Sequence, residues 1–375
     1  MPTGRANRGE WGEPYVAFHL LGSGKIYIAD AEGFRNPNEW MNIIEVIRQE
    51  TSDRLVKYHY KAEDTMIDIT VNGTFITSVP ASDFLRIANL LAAEVISSTG
   101  RSFTVSDSIT DFMQRVEMLH MKAKSVEKSD IFLTVFDPRA SITREHIGFS
   151  IKTKFGQNPT LFNTAKASAA KYKLSNMTAR LMDEVNSLTD DRGNAAVLGR
   201  CNLLRENGCG VEYVGFQRAE RAGCEAFREN LEMLNPRLPI VIQRILWNHF
   251  FGGQTETDIS DVVRRIIRED PCNVSRPEID YPYMMKAFLY AAYCGMTAST
   301  PWNGISNVNG GFITVSDSGE VLAHYALESE AFKGYLYNNC YLEFPSTSRG
   351  HGDYAKVYLE NGNYYFNLNF QIRYR

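Results

Sequence analysis

Four stretches of strand-like sequence, each broken by a tight-turn signal, constrain this chain more than any other feature. Met66–Val79 alternates around Asn72-Gly73, and Ile131–Phe136 meets Ile147–Thr153 across a turn opened by Asp137-Pro138. Gly311–Val315 and Val321–Tyr325 flank Asp317-Ser318-Gly319, and Lys356–Glu360 and Tyr364–Arg373 flank Asn361-Gly362. Such runs around Asn-Gly or an equivalent turn predict antiparallel hairpins, so an all-helical fold is excluded. Between them the apolar spacing turns helical: Trp11–Leu21, Trp40–Glu50, a run from Asp83 to Ser97, and another started by Ser106 or Asp107 that puts Phe112, Val116 and Leu119 on one face. From about Asn176 to Gly295 the pattern is almost wholly helical, with Met177–Leu188, Ala219–Leu234, Pro239–Phe250, Ile259–Arg268 and Tyr283–Tyr293 as the periodic segments. The expected class is α+β, a mixed sheet flanked by helices. The expected segments are 1–175, a mainly helical 176–300, and a C-terminal β region at 301–375.

With 375 residues, 44% hydrophobic and 22% charged, the chain buries enough apolar surface for about two domains and is not disordered. Apolar runs such as Ile87–Ile96 and Ala287–Cys294 fall short of the roughly 18 residues that a membrane span needs. The polar first ten residues lack a secretory pattern, so a cytoplasmic protein is expected. Its six cysteines form no CxxC pair and are expected to be free thiols. Phosphate-cradling GxGxxG and GxxxxGK[ST] loops are missing, which argues against a nucleotide enzyme. The net charge of −4 conceals an uneven distribution: eight basic residues and one acidic residue, Glu145, lie between Arg139 and Arg180. That stretch is either a solvated face or a place to which an anion is steered.

One hairpin can carry chemistry. Centring the Asp137–His146 connection near position 141 sets Asp130 opposite Lys152 and Phe132 opposite Ser150, with Cβ atoms about 5 Å apart. Period-two alternation puts Ser150 and Lys152 on one side of the strand and Phe149 and Ile151 on the other. A carboxylate beside an ammonium is either a plain cross-strand ion pair or the core of a metal-assisted phosphodiesterase. The second needs another carboxylate, because a hard cation takes several oxygen ligands. Glu10 and Glu13, three residues apart at the start of the first helical run, would face the same way, although acids also favour a helix N-terminus for its dipole alone.

Several blocks then fall into a familiar order. Asn7-Arg8-Gly9-Glu10-Trp11-Gly12-Glu13, Lys122-Ala123-Lys124-Ser125 leading into Lys128-Ser129-Asp130-Ile131, Gly148-Phe149-Ser150-Ile151-Lys152 and Pro159-Thr160-Leu161-Phe162-Asn163 resemble blocks of the HpaII-type restriction endonucleases. So do Tyr335–Asn339, Leu342-Glu343, Pro345-Ser346-Thr347-Ser348-Arg349 and Leu368–Arg373, which extends the resemblance from Asn7 to Arg373.

The resemblance implies a type II restriction enzyme with a PD-(D/E)xK-like nuclease core, cutting double-stranded DNA with Mg2+ at a short palindrome. The family's namesake reads CCGG, and a palindrome suits a two-fold homodimer. A bacterial or archaeal cytoplasm is the implied setting. Asp130 and one of Glu13 and Glu10 would ligate the metal together with the backbone carbonyl of Ile151. Lys152 would orient the attacking water and stabilise phosphorane charge, and Ser150 would hydrogen-bond a water on the metal. Lys122, Lys124, Lys128 and Lys154 are the implied phosphate contacts, with Gln157, Asn158, Thr160 and Asn163 on the backbone or base edges. Ser346, Ser348, Arg349 and His351 form a polar C-terminal cluster, with Arg349 as the implied guanine reader. Ser150 stands where the general pattern has an acid. That departure leaves a catalytically inactive DNA-binding protein of the same fold as the alternative. Pro14 biases Glu13 away from helical dihedrals and toward a cap position.

Overall fold

A computed structural model describes residues 5–100, 102–122, 129–155, 158–190, 193–304, 310–325, 329–348 and 353–375. Helix α1 (Gly12–Ser23) is followed by strands β1 (Lys25–Ala29), β2 (Arg35–Thr51), β3 (Arg54–Lys61), β4 (Met66–Val71) and β5 (Thr74–Pro80), then by α2 (Ala81–Ser97), α3 (Asp107–Arg115), β6 (Ile131–Asp137) and β7 (Ile142–Thr153). The middle holds β8 (Thr160–Phe162), β9 (Ala170–Ser175), α4 (Ala179–Ser187), α5 (Ala195–Glu206), β10 (Gly210–Phe216), α6 (Ala226–Leu234), α7 (Leu238–Phe250), α8 (Ile259–Glu269) and α9 (Pro277–Tyr293). The chain closes with β11 (Gly311–Val315), β12 (Val321–Tyr325), α10 (Ser329–Asn339), β13 (Cys340–Glu343), β14 (Val357–Glu360), β15 (Asn363–Leu368) and β16 (Gln371–Tyr374). The α+β class agrees with the sequence.

Two compact units divide the chain, Met1–Pro159 with Asn307–Tyr335, and Thr160–Ser306 with Leu336–Arg375. Neither follows the segments 1–175, 176–300 and 301–375, because β11 and β12 return from the C-terminal third to join the first sheet. That sheet runs β1-β12-β11-β7-β6-β2-β3-β4-β5. Within it β7 pairs parallel with β11 and antiparallel with β6. Helices α1, α2 and α3 supply Phe18, Phe84 and Phe112 to the buried core, with T-shaped ring contacts of 5.4 and 5.1 Å centred on Phe112.

Residues 40–50, expected as a helix, lie inside β2. Ile43, Ile44, Val46 and Ile47 are β-branched, and β2 bonds to β1, β6 and β3, so pairing partners override the helical spacing. Helix α2 starts after Pro80, with Asp83 inside its first turn rather than at its cap. The helices α1 and α2 meet at Gly22, where a Cβ atom would lie 2.6 Å from the Leu85 backbone nitrogen. Gly22→Ala is therefore expected to lower stability by about 1–3 kcal/mol, read from the denaturant midpoint. An unchanged midpoint would contradict this packing.

The second unit carries two smaller sheets, β10-β9-β15-β14 and β13-β16-β8. Strand β10 lies in sequence expected to be helical, whereas α5 keeps the helical character expected of that stretch, outside its named periodic segments. The run Tyr364–Arg373, expected as one strand, splits at Asn369 and Phe370 so that β15 and β16 join different sheets. Fully buried Asn369 fixes the split: its Nδ2 donates to Ala165 O, and its Oδ1 accepts from Ser168 Oγ.

Candidate active site

Turn chemistry builds the β6–β7 hairpin. Its strands run on to Asp137 and Ile142, a shorter connection than the sequence suggested, and β7 carries an extra residue between Arg144 and Ile147, opposite Leu133 to Val135. His146 takes up that bulge at φ +54°. The earlier turn sets Asp137 opposite Ile142, three residues off the expected register, and the bulge returns one, so that Ile131 faces Phe149 and Phe132 faces Gly148, two residues off. Asp130, just before β6, comes level with Ser150 instead of Lys152. An even shift at this end of the hairpin keeps Asp130, Ser150 and Lys152 on their expected faces.

Asp130 is held from both directions. Its N–H donates to Phe149 O (2.9 Å), while its Oδ2 accepts from Ile151 N–H (2.7 Å) and Ser150 Oγ (3.1 Å). Both side-chain bonds fall on Oδ2, and among the described residues no hydrogen bond to Oδ1 is seen. Gly148 permits the close approach, since a Cβ there would sit 2.3 Å from Ser129 Oγ.

Lys152 shares its face with Ser150, and its register partner across the parallel pairing is Thr314 of β11. Burial pulls the Lys152 pKa below that of an ordinary lysine, and the charge of Asp130 acts in the opposite direction. The ammonium and the carboxylate thus share one electrostatic environment.

The start of α1 packs on the end of β7. A Cβ at Gly12 would lie 2.1 Å from Thr153 Cγ2, the Tyr15 and Phe155 rings are 5.3 Å apart, and Arg8 Nη1 donates to Phe155 O (3.0 Å). This sets Glu13, buried in the first turn of α1, one residue from the contact with Thr153. Pro14 does not displace Glu13 to the cap, which is Trp11. Glu10 has a different position: it precedes the helix, accepts from Asn7 N–H through Oε2 (2.9 Å), and places Oε1 3.2 Å from Lys122 Nζ. The backbone bond from Asn7 and the nearby Lys122 hold the Glu10 pKa below the usual carboxylate range.

Lys154 is exposed after β7, and its N–H donates to Val315 O. In the second unit Thr160 lies in β8 and Asn163 is exposed, whereas Asn158 belongs to the first unit. Ser346 is buried, Ser348 is exposed, and their hydroxyls are 3.1 Å apart, beside Thr347, which is bonded to Asp190. Lys124, Lys128, Gln157, Arg349 and His351 lie outside the described residues.

Sequence reasoning passed over Thr314 and His324. The buried His324 lies 3.0 Å from Thr314 Oγ1 through Nε2, and burial together with the charge of Lys154 brings its pKa down to about 3, so the ring is neutral at working pH. Parallel pairing of β11 with β7 brings Thr314 to Lys152, and no local signal announces a pairing between residues so far apart.

The family profile described as HpaII restriction endonuclease matches residues 7–374. The chain belongs to this family. The endonuclease is 31% identical over 371 residues to the type II restriction enzyme HpaII of Haemophilus parainfluenzae, with 98% of each chain covered. No solved structure matches it. Membership makes it a site-specific deoxyribonuclease with DNA as substrate.

Enzymes of this kind generally work with a divalent metal. Among the described residues of the endonuclease, no group of three or more His, Cys, Asp and Glu side chains gathers at one point, and no helix is long and apolar enough to cross a membrane. A carboxylate with one oxygen anchored and the other turned from those anchors fits a hard cation that retains several waters, which needs only one or two protein carboxylates.

Proposed function

We propose that this enzyme hydrolyses double-stranded DNA phosphodiesters with Mg2+ at CCGG, using a PD-(D/E)xK-like core in which Ser150 replaces the usual acid. The observation that carries the reading is the Asp130 carboxylate, anchored to Ser150 and Ile151, sharing its electrostatic environment with half-buried Lys152 of the same strand β7. Asp130, Glu13 and the Ile151 carbonyl would hold the ion. Glu13 is favoured over Glu10 because the packing of neighbouring Gly12 on Thr153 sets it at the end of β7, next to Lys152. When bound, Mg2+ supplies positive charge at the phosphate and acidifies water. Lys152 Nζ orients the attacking water and offsets charge developing on the phosphate oxygens. Ser150, besides donating to Asp130, offers hydroxyl lone pairs to the same water.

Lys122 and Lys154 would contact phosphates, with Lys124, Lys128, Gln157, Asn158, Thr160, Asn163, Ser346, Ser348, Arg349 and His351 as further DNA contacts. Two copies would bind the palindrome as a homodimer. The enzyme would act in a bacterial or archaeal cytoplasm, where it meets incoming DNA.

Two plasmids differing only in a single CCGG, incubated with enzyme and Mg2+, test this reading. One linear product whose sequenced ends map to CCGG, and no product from its sibling, is expected. Cutting of both plasmids at another sequence would reject the specificity, and two uncut plasmids would reject the reaction as proposed.

A further inference from the structure

Arg48 and Glu50 of β2 form an ion pair with both side chains fully buried, Nε to Oε1 at 3.0 Å. Neither belongs to the site described above. Glu50 Oε2 accepts from the backbone N–H groups of Leu119 (3.1 Å) and His120 (2.8 Å) and lies 3.0 Å from His120 Nδ1. Arg48 Nη2 donates to His120 O (3.0 Å) and Met121 O (3.3 Å). Both edges of this short peptide are therefore gripped.

An apolar pair of similar volume would stabilise the core at least as well, since two buried charges must first lose their water. What the ion pair adds is direction: its bonds all converge on residues 119–121. The next residue is Lys122, whose ammonium points at Glu10 Oε1 (3.2 Å), and Glu10 is itself tied to Asn7 ahead of α1. Lys122 and Glu10 are both solvent-accessible, so exchanging one anionic partner for another costs little.

We propose that Arg48 and Glu50 are positioning residues for DNA binding. They fix the peptide that presents Lys122, and Glu10 serves as a stand-in anion that a DNA phosphate replaces. The inference rests on the reading of Lys122 as a phosphate contact.

Fluorescence anisotropy with a CCGG-containing duplex, in EDTA and across a salt series, tests it. Lys122→Ala should weaken binding about fivefold and reduce the slope of log affinity against log salt by about one. Glu50→Gln should reproduce both changes, and adding it to Lys122→Ala should cause no further loss. Glu10→Gln keeps an acceptor for Asn7 but releases Lys122, and it should tighten binding about two- to fivefold. His120→Ala removes only the outer bond to Glu50 and runs the same cycle if Glu50→Gln does not fold.

Losses that multiply in the double variant, an unchanged salt slope in Glu50→Gln, or no tightening in Glu10→Gln would overturn the proposal. Lys122→Ala binding like wild type would remove its foundation. The plasmid assay separately decides the reaction, so the two failures can be told apart.

Discussion

Lys152→Met should abolish DNA cleavage while stabilising the metal-free protein. The loss is expected to be about 100-fold or more in rate, the range seen when one preorganised stabiliser of a developing oxyanion is removed. Affinity for uncut duplex in EDTA should change little. The gain in stability follows from the pKa of Lys152, which burial holds below its unfolded value. Where the folded-state pKa of a lysine is depressed, the folded chain releases its proton before the unfolded chain does. The charged side chain therefore costs stability below the folded pKa, and that cost fades as pH rises toward the ordinary lysine value. Thermal unfolding in EDTA should show the methionine variant melting higher at neutral pH, with the difference shrinking at alkaline pH. A variant that cleaves normally would sink the assigned role, and one that melts lower at neutral pH would contradict the burial cost. A functional lysine kept against its own desolvation is a local exchange of stability for activity.

Asp130→Asn is the second large effect. An asparagine oxygen can still accept from Ile151 N–H and Ser150 Oγ, so the hairpin should fold and the melting temperature should move little. The carboxylate charge is what disappears. Divalent-ion affinity measured by calorimetry should fall more than about 100-fold, beyond the usual effect of disturbing a ligand's supporting shell, and cleavage should fall with it. Loss of Asp130 also removes a charge that favours protonated Lys152, so the lysine should become still easier to deprotonate. Full activity in Asp130→Asn would show that the metal is held elsewhere.

How much of this was legible depends on how local each signal is. The Asn72-Gly73 and Asn361-Gly362 turns appear where expected because all four residues take positive φ, which their types tolerate. Asp130, Ser150 and Lys152 were found together because one hairpin carries them. Their register was off by two because the turn closes earlier than its centre near position 141 suggested, and the bulge at His146, with no glycine to announce it, returns only one residue of that shift. Strand β2 looked helical because a central strand covered by neighbours loses clean alternation. The pairings of Ile28 with Ala323 and of Lys152 with Thr314 join residues far apart in sequence, so neither the sheet order nor the approach of Thr314 to Lys152 can be read from nearby residues. Glu10 and Glu13 stood as equal candidates from their spacing at the start of the first helical run, since the packing of Gly12 on Thr153, which sets Glu13 at the end of β7, joins residues far apart in sequence.

A crystal structure of Lys152→Met bound to uncut duplex with Ca2+ tests the central claim most directly. The account predicts a cation within about 2.3–2.6 Å of Asp130 Oδ1 and a Glu13 oxygen, facing the scissile phosphate. A cation seated beside Glu10, or away from Asp130 altogether, would contradict it.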